Sequence, residues 1–588
     1  MTIGRMAGTG DGEAQVIADV RQAVNLPRRE ASSLHLPTAA TRLGPSVEST
    51  TRGPILMTRT RSHWGWGWAD RWPDDAARAA FAEMLSAMRG LRCEPRPPVE
   101  LEAIVLRPSA VRAVPPELAD VVSTAREVRL NATWGRSFSE IVRAFMGDFA
   151  PAPDAVASPR NADEVAAVLR WAEAAGLAAI PRGGGTSVTH GVTARPEERR
   201  AGVVVIEMSR MARLIEVDTV SRAAHIEGGA TGPRVQELLG PHELCLRHYP
   251  QSWEFATLGG WIVTRAGGHY ATGRTHIDDF VESVTMVAPT GTMTTRRLPA
   301  SGAGPDANRL VLGSEGTLGV VTSAWIRVQT RPRYRSNISI LFSEFGSAVA
   351  AARALAQSNL FPTNCRVLDP GEAALNQVGD GRAVLIVAFE DDLPTRDRLE
   401  AATALAMQYG GVAPSGARHR ESTHEAAAND AGAQWKDAFF DGPYLQSLLV
   451  SFGLVADTFE TACTWSQFEA LHAALHAAVA PIFAELGGGE LTCRFTHVYA
   501  DGPAPYYTFV CQSSHGRQLD DHARIKRAVS DVLSAHGATI THHHAVGRLH
   551  RPWYDIERPP LFATAYNAVR ATFDPAGIMN PGVLTDPE

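Results

Sequence analysis

Hydrophobic and polar positions change texture several times along the chain. Residues 1–60 are rich in Ala, Arg, Ser, Thr and Pro with little apolar periodicity, which predicts a disordered tail, with Met57 as an alternative start. Over 61–150 the spacing predicts a helical extension, with helices at 75–90 and 116–122, after a run in which Trp64, Trp66 and Trp68 are expected to pack. From 151 to 330 helix and strand alternate: helix 162–175, strand 177–180, strand 201–207, then strict apolar/polar alternation over 215–226. Residues 330–334 look like a linker. Over 331–535, strands at 338–342, 384–390 and 508–512 interleave with helices at 347–357, 395–409 and 466–486, the last with Pro481 inside it. A closing segment, 536–588, carries a histidine run and a tail punctuated by Pro and Gly. No internal repeat is found. The pattern predicts an α+β protein of more than one domain, as 588 residues are too many for a single core.

Three glycine-rich segments interrupt this pattern in the second unit. The first is Pro181, Arg182, Gly183, Gly184, Gly185, Thr186 and Ser187, directly after a predicted strand. Glycine lets a ligand approach the main chain closely, and consecutive free amides form an anion-binding concavity to which two hydroxyls add donors. The second contains Gln251, Ser252, Glu254, Phe255, Ala256 and Thr257, continued by Thr264, Arg265, Ala266 and Gly267. The third is Glu315, Gly316, Thr317, Leu318, Gly319, Val320 and Val321. Each alone reads equally as a tight turn. Three in this order, separated by strand-and-helix segments, favour a bound nucleotide-like cofactor.

Charge and cysteine usage narrow the class. A net charge of −7 offers no global attraction for nucleic acid, so none is expected as a partner and an anionic substrate must meet local arginines. Six cysteines without a Cys-x-x-Cys pair argue against a zinc or disulfide framework, and no metal site is expected. No apolar run reaches the roughly 18–20 residues that span a bilayer.

Together the three segments resemble the FAD-binding domain of the vanillyl-alcohol oxidase superfamily. The resemblance implies a two-subdomain FAD-binding domain at 151–330, an α+β cap (substrate) domain at 331–535, and a closing segment that completes the active site. It implies that all the glycine-segment residues named above contact FAD. No histidine falls within Arg182–Ser187, with His190 just outside, so non-covalent FAD is expected. Trp64–Trp68, the segment 248–261 and His542-His543-His544-Ala545-Val546-Gly547 sharpen the likeness to the alkyldihydroxyacetonephosphate synthases. That implies exchange of the acyl group of acyl-dihydroxyacetone phosphate for a fatty alcohol, with flavin N5 holding the substrate carbon. The alternative is an oxidase or dehydrogenase that moves hydride from a hydroxy acid or alcohol to N5. By the same resemblance Tyr506 is the acid/base, His542, His543 and His544 assist it, and Arg366 is needed for activity. Gln446 stands where the family has a substrate-binding arginine, and a glutamine lacks the charged fork that suits phosphate. A lipid-like or hydroxylated substrate, peripheral membrane contact, a homodimer and a cytoplasmic, membrane-associated location complete the expectation.

Overall fold

The computed structural model describes residues 59–195, 200–270, 272–376, 378–421 and 442–586. The expected tail therefore lies outside the described residues up to position 58. The expected helical extension is only partly helical. Helices Asp75–Arg89, Arg126–Asn131 and Phe138–Phe145 are joined by extended chain. The helix expected at 116–122 is a single 3-10 turn, Pro116–Leu118, because the chain then enters the short strand Val122–Ser123 and pairs with a sheet. Helix Asp75–Arg89 has clear local signals: Asp74 accepts from the Ala77 amide at 2.8 Å, and Gly90 ends it in the left-handed region.

Two sheets make the cofactor unit. The first has the order Val122–Ser123, Ala155–Ala157, Gly202–Glu207, Leu177–Arg182, the last three strands parallel. Helix Ala162–Ala174, capped by Asn161, makes the crossover that parallel strands require. The second sheet is antiparallel: Leu214–Asp218, Ala223–Glu227, Val320–Arg327, Val281–Ala288, Gly291–Thr294. The alternation over 215–226 is thus a hairpin.

A seven-stranded antiparallel sheet forms the cap, in the order Arg418–Glu421, Tyr334–Phe342, Ala383–Asp391, Asn364–Leu368, Gly489–Val498, Pro503–Cys511, Val455–Glu460. Its helices include Phe345–Ala356, Arg396–Met407, Trp465–Leu486 and Gln518–Ala535, and one extended hydrophobic core runs through this half. Trp465–Leu486 keeps Pro481 within one continuous helix. The expected linker is short: Gln329–Thr330 pairs with Leu244–Cys245, and the cap sheet begins at Tyr334. The C-terminal tail returns to the cofactor unit, where Asn580 Nδ2 donates to the carbonyls of Gly191 at 2.9 Å and Glu315 at 2.7 Å. Among the described residues, no helix is long and apolar enough to cross a membrane.

Candidate functional site

A cavity of about 1890 Å³ lies between the two halves. That exceeds the roughly 300–1,000 Å³ of an ordinary ligand pocket and leaves room for a cofactor and a second molecule. Its wall on the cofactor side is backbone. A Cβ on Gly183 would strike the Thr257 hydroxyl, and one on Gly184 the Phe255 carbonyl oxygen. The first two glycine segments therefore pack main chain against main chain, and only glycine permits that approach. Gly185 has φ +67°, which also favours glycine.

Behind this wall three arginines are buried together. Arg182 donates to the carbonyls of Trp134 at 3.0 Å and Asn131 at 3.2 Å, and Arg136 to that of Gly135 at 2.7 Å. Burial, then repulsion by Arg61 and Arg182, pushes the Arg136 guanidinium down to about 9, and burial with Arg182 takes Arg61 to about 10. Arg136 and Arg182 reach the cavity lining. Clustered buried cations behind a glycine turn suit an anionic diphosphate, so these residues fit FAD. When bound there, FAD supplies an electrophilic isoalloxazine ring that the protein has only to place.

The sequence-predicted cofactor residues divide in two. Pro181 to Ser187, Gln251, Ser252, Ala256, Thr257, Thr264, Ala266, Gly267, Glu315, Gly316, Gly319, Val320 and Val321 line the cavity. Five others do not. Glu254 accepts from Trp68 Nε1 at 2.7 Å, and Phe255 packs edge-on to Trp66 and Trp68, leaving only its main chain against Gly184. Arg265 pairs with Asp278 at 2.9 Å and is 57% exposed. Thr317 bonds Tyr566 at 2.8 Å, and Leu318 is core. These corrections share a reason: neighbours in a turn cannot all face one way. His190 is likewise turned aside, its ring bonded to Ser139 Oγ at 2.8 Å.

The cap side of the cavity is made of side chains. Tyr506, on Pro503–Cys511, donates to Thr458 Oγ1 at 3.0 Å. The Arg494 guanidinium lies 4.0 Å from its ring centre, and Glu372 accepts from Arg494. Burial raises the Tyr506 phenol, against the pull of Arg494, so it stays protonated. His543 lies nearly parallel to the Tyr506 ring at 6.1 Å and His544 edge-on at 5.5 Å. Both line the cavity, and a Cβ on Gly267 would sit 3.1 Å from that of His543. His542 turns the other way, its Nε2 2.8 Å from the Tyr499 hydroxyl.

The histidine run is held by Glu460, at the edge of the sheet directly opposite Tyr506 in the ladder. Its carboxylate accepts the amides of His542 at 2.6 Å, His543 at 3.2 Å and His544 at 2.9 Å, and the Thr541 hydroxyl at 2.6 Å. Burial opposes its charge, but the histidines and Thr541 hold it well below the usual carboxylate range. Glu315 does the same from the cofactor side, accepting the Val546 and Gly547 amides, each at 2.8 Å. Burial raises its carboxyl to about 7 against those two bonds. Arg366 donates to the His269 carbonyl at 2.6 Å and to Asn364 Oδ1 at 3.1 Å. Gln446, on the helix 442–451, spends its amide on the Ala456 carbonyl at 3.0 Å and Asp457 at 3.1 Å.

Part of the same cavity lining is apolar. Phe81, Met84, Leu85 and Met88, at helical spacing on Asp75–Arg89, form this stretch with Leu448 and Leu449, and Met88 is 40% exposed.

Comparison with known proteins decides the class. An FAD-binding domain family matches residues 153–296, and the C-terminal domain of FAD-linked oxidases matches 331–584. The chain is an FAD-dependent flavoenzyme similar to the alkyldihydroxyacetonephosphate synthases. This flavoenzyme is 27% identical over 484 residues to an alkyldihydroxyacetonephosphate synthase of Dictyostelium discoideum, covering 79% of each chain. A solved alkyldihydroxyacetonephosphate synthase superimposes with a TM-score of 0.72 at 23% identity, over 89% of this chain and 98% of that one. Substrate-bound p-cresol methylhydroxylase shares the fold at a TM-score of 0.60 and 15% identity, over 79% and 94%.

Sequence reasoning missed Glu460, Tyr499 and Lys526 of the flavoenzyme. Lys526 is buried, donates to the Thr458 carbonyl at 2.9 Å and lines the cavity. None carries a local motif. The apolar stripe on Asp75–Arg89 was the one available signal, since its spacing is visible in the chain.

Proposed function

We propose that this flavoenzyme exchanges the acyl group of acyl-dihydroxyacetone phosphate for a fatty alcohol, the ether-forming step of ether-lipid synthesis. The observation that carries this reading is a single cavity lined by an apolar stretch of Asp75–Arg89, by Tyr506, His543 and His544, and by the glycine segments. A long alkyl chain suits the apolar stretch while its polar head meets the acid/base groups. The glycine segments would hold FAD with its ring facing Tyr506, where it would supply the electrophilic flavin N5.

The chain's own residues do the rest. The acid departs as a carboxylate, and Tyr506 takes the alcohol's proton on its oxygen as it gives its own hydrogen to the facing His543 imidazole. His543 and His544 face its ring and set its proton balance. Arg366 stiffens the chamber through His269. With the Gln446 amide committed to Ala456 and Asp457, the charge for a substrate phosphate comes from Arg494 and Lys526. FAD-loaded protein should incorporate labelled fatty alcohol into acyl-dihydroxyacetone phosphate and release one equivalent of fatty acid. No incorporation, together with anaerobic bleaching of the flavin by a hydroxy acid, would overturn the reading in favour of hydride transfer.

A further inference from the structure

His542 turns away from the cavity, yet both of its ring nitrogens are engaged. Nδ1 lies 3.0 Å from His543 Nδ1, and Nε2 lies 2.8 Å from the Tyr499 hydroxyl. His543 lines the main cavity, and its bond to His542 leaves Nε2 for that side. Tyr499 stands on the opposite side of the cluster. It forms part of the wall of a second pocket of about 590 Å³, at the surface between exposed Asp501, Ile556 and Glu557. A line of hydrogen-bonded side chains thus runs from the reaction chamber to a tyrosine on the wall of the second pocket.

We propose that His543, His542 and Tyr499 form a proton relay that carries the proton released in the reaction chamber out to this second pocket. The need for it rests on the exchange reading, in which ester and alcohol give ether, carboxylate and one proton per turnover. A site filled by cofactor and alkyl chain has no bulk water to take that proton. His543 accepts it at Nε2 and gives its Nδ1 hydrogen to His542 Nδ1. His542 gives its Nε2 hydrogen to the Tyr499 oxygen, and Tyr499 gives its own to water. Three O–H or N–H bonds form within the relay and three break, and every group is neutral before and after.

The surroundings suit neutral imidazoles with brief charge. Burial, then His276, lowers His542 to about 3, and burial holds His543 well below its ordinary value, so both rest uncharged. Glu460 Oε2 lies 3.5 Å from His543 Nδ1 and steadies the transient imidazolium. The other facing groups are His276 at 4.6 Å from the His542 ring, His497 at 5.0 Å, His544 at 4.7 Å from His543, and Tyr506. Thr275, 3.3 Å from the Tyr499 hydroxyl, orients the phenol. Glu460 and Thr275 are positioning residues, whereas the three relay members move the proton.

The test has two arms on full-length, FAD-loaded protein. In 15N-histidine-labelled wild type, NMR is expected to show downfield, slowly exchanging imidazole N–H signals that His542→Asn and His543→Asn each abolish and Tyr499→Phe shifts. Their absence in the wild type overturns the relay whatever the substrate. In the exchange assay, Tyr499→Phe is expected to lower kcat roughly 10²-fold with KM and FAD content unchanged, and added imidazole buffer to restore it in proportion to concentration. An unchanged kcat, or a loss that buffer does not restore, also overturns it. A wild type without exchange activity overturns the proposed function instead, and the NMR arm then decides the relay alone.

Discussion

The two walls of the cavity are built on opposite principles. The cofactor wall is main chain, with glycines pressed against the Phe255–Thr257 segment and almost no side chain between. The cap wall is side chain: Tyr506 and Arg494 project from the cap sheet, and His543 and His544 from a loop that Glu460 fixes. A backbone wall holds any member of a cofactor class by its constant parts, the amides and the shape they enclose. A side-chain wall is free to change its chemistry without disturbing the fold. On the proposed reading one binds and the other reacts.

Breaking each wall separately should separate the two roles. The broadest effect, on flavin content and activity together, is expected from Gly184→Ala, because the new Cβ meets a carbonyl oxygen that belongs to the fold. Overpacking of this kind costs about 1–3 kcal/mol. The purified variant should carry less than a tenth of the wild-type flavin, read from its visible absorbance, and lose exchange activity in step. Tyr506→Phe comes next. It should retain full flavin while kcat falls about 10²–10⁴-fold, the usual range for a lost acid/base. Flavin loss in that variant would erase the distinction between the walls.

Glu460→Gln tests what holds the reactive wall. Its carboxylate receives three amides and a hydroxyl, and bonds to a charged acceptor are worth about 1.5–3 kcal/mol each. An amide has one accepting oxygen, so the variant should lose about 3 kcal/mol in denaturant unfolding, with kcat lowered and flavin content retained. The smallest effect is a pH drift from Glu315, which joins the walls. Its ordinary value is 4.5 and burial raises it to about 7, so between those values the folded state holds a proton that the unfolded state has lost. Stability from this group is present below pH 4.5 and falls as pH climbs through about 7. Glu315→Gln should flatten that part of the Tm-against-pH curve of the apoprotein. A curve of unchanged slope would place the drift elsewhere.

The same contrast explains which parts were readable in the chain. The crossover helix Ala162–Ala174 and the strand before Gly183 follow from period and caps. The expected helix at 116–122 failed because pairing with Ala155–Ala157 outweighed a short local pattern. Within the glycine segments, Glu254, Phe255 and Arg265 looked like site residues by position, yet their side chains pack or pair on the far side. A motif records where the backbone goes and not which way each side chain turns. Tyr506 and the histidine run rested on family resemblance, and nothing local separated His542 from His543.

By itself the sequence determined the backbone wall. Glycine is required by φ and by close approach, and those demands fall on consecutive residues where they can be read together. Only the tertiary structure decided which side chains make the cap wall and how they are held. Glu460 meets a histidine 82 positions away, and Tyr499 meets His542 across 43, through strand register and a loop docked onto it. No residue type announces such a partnership, because the energy of a buried carboxylate or a shared proton exists only once distant segments have packed and excluded water.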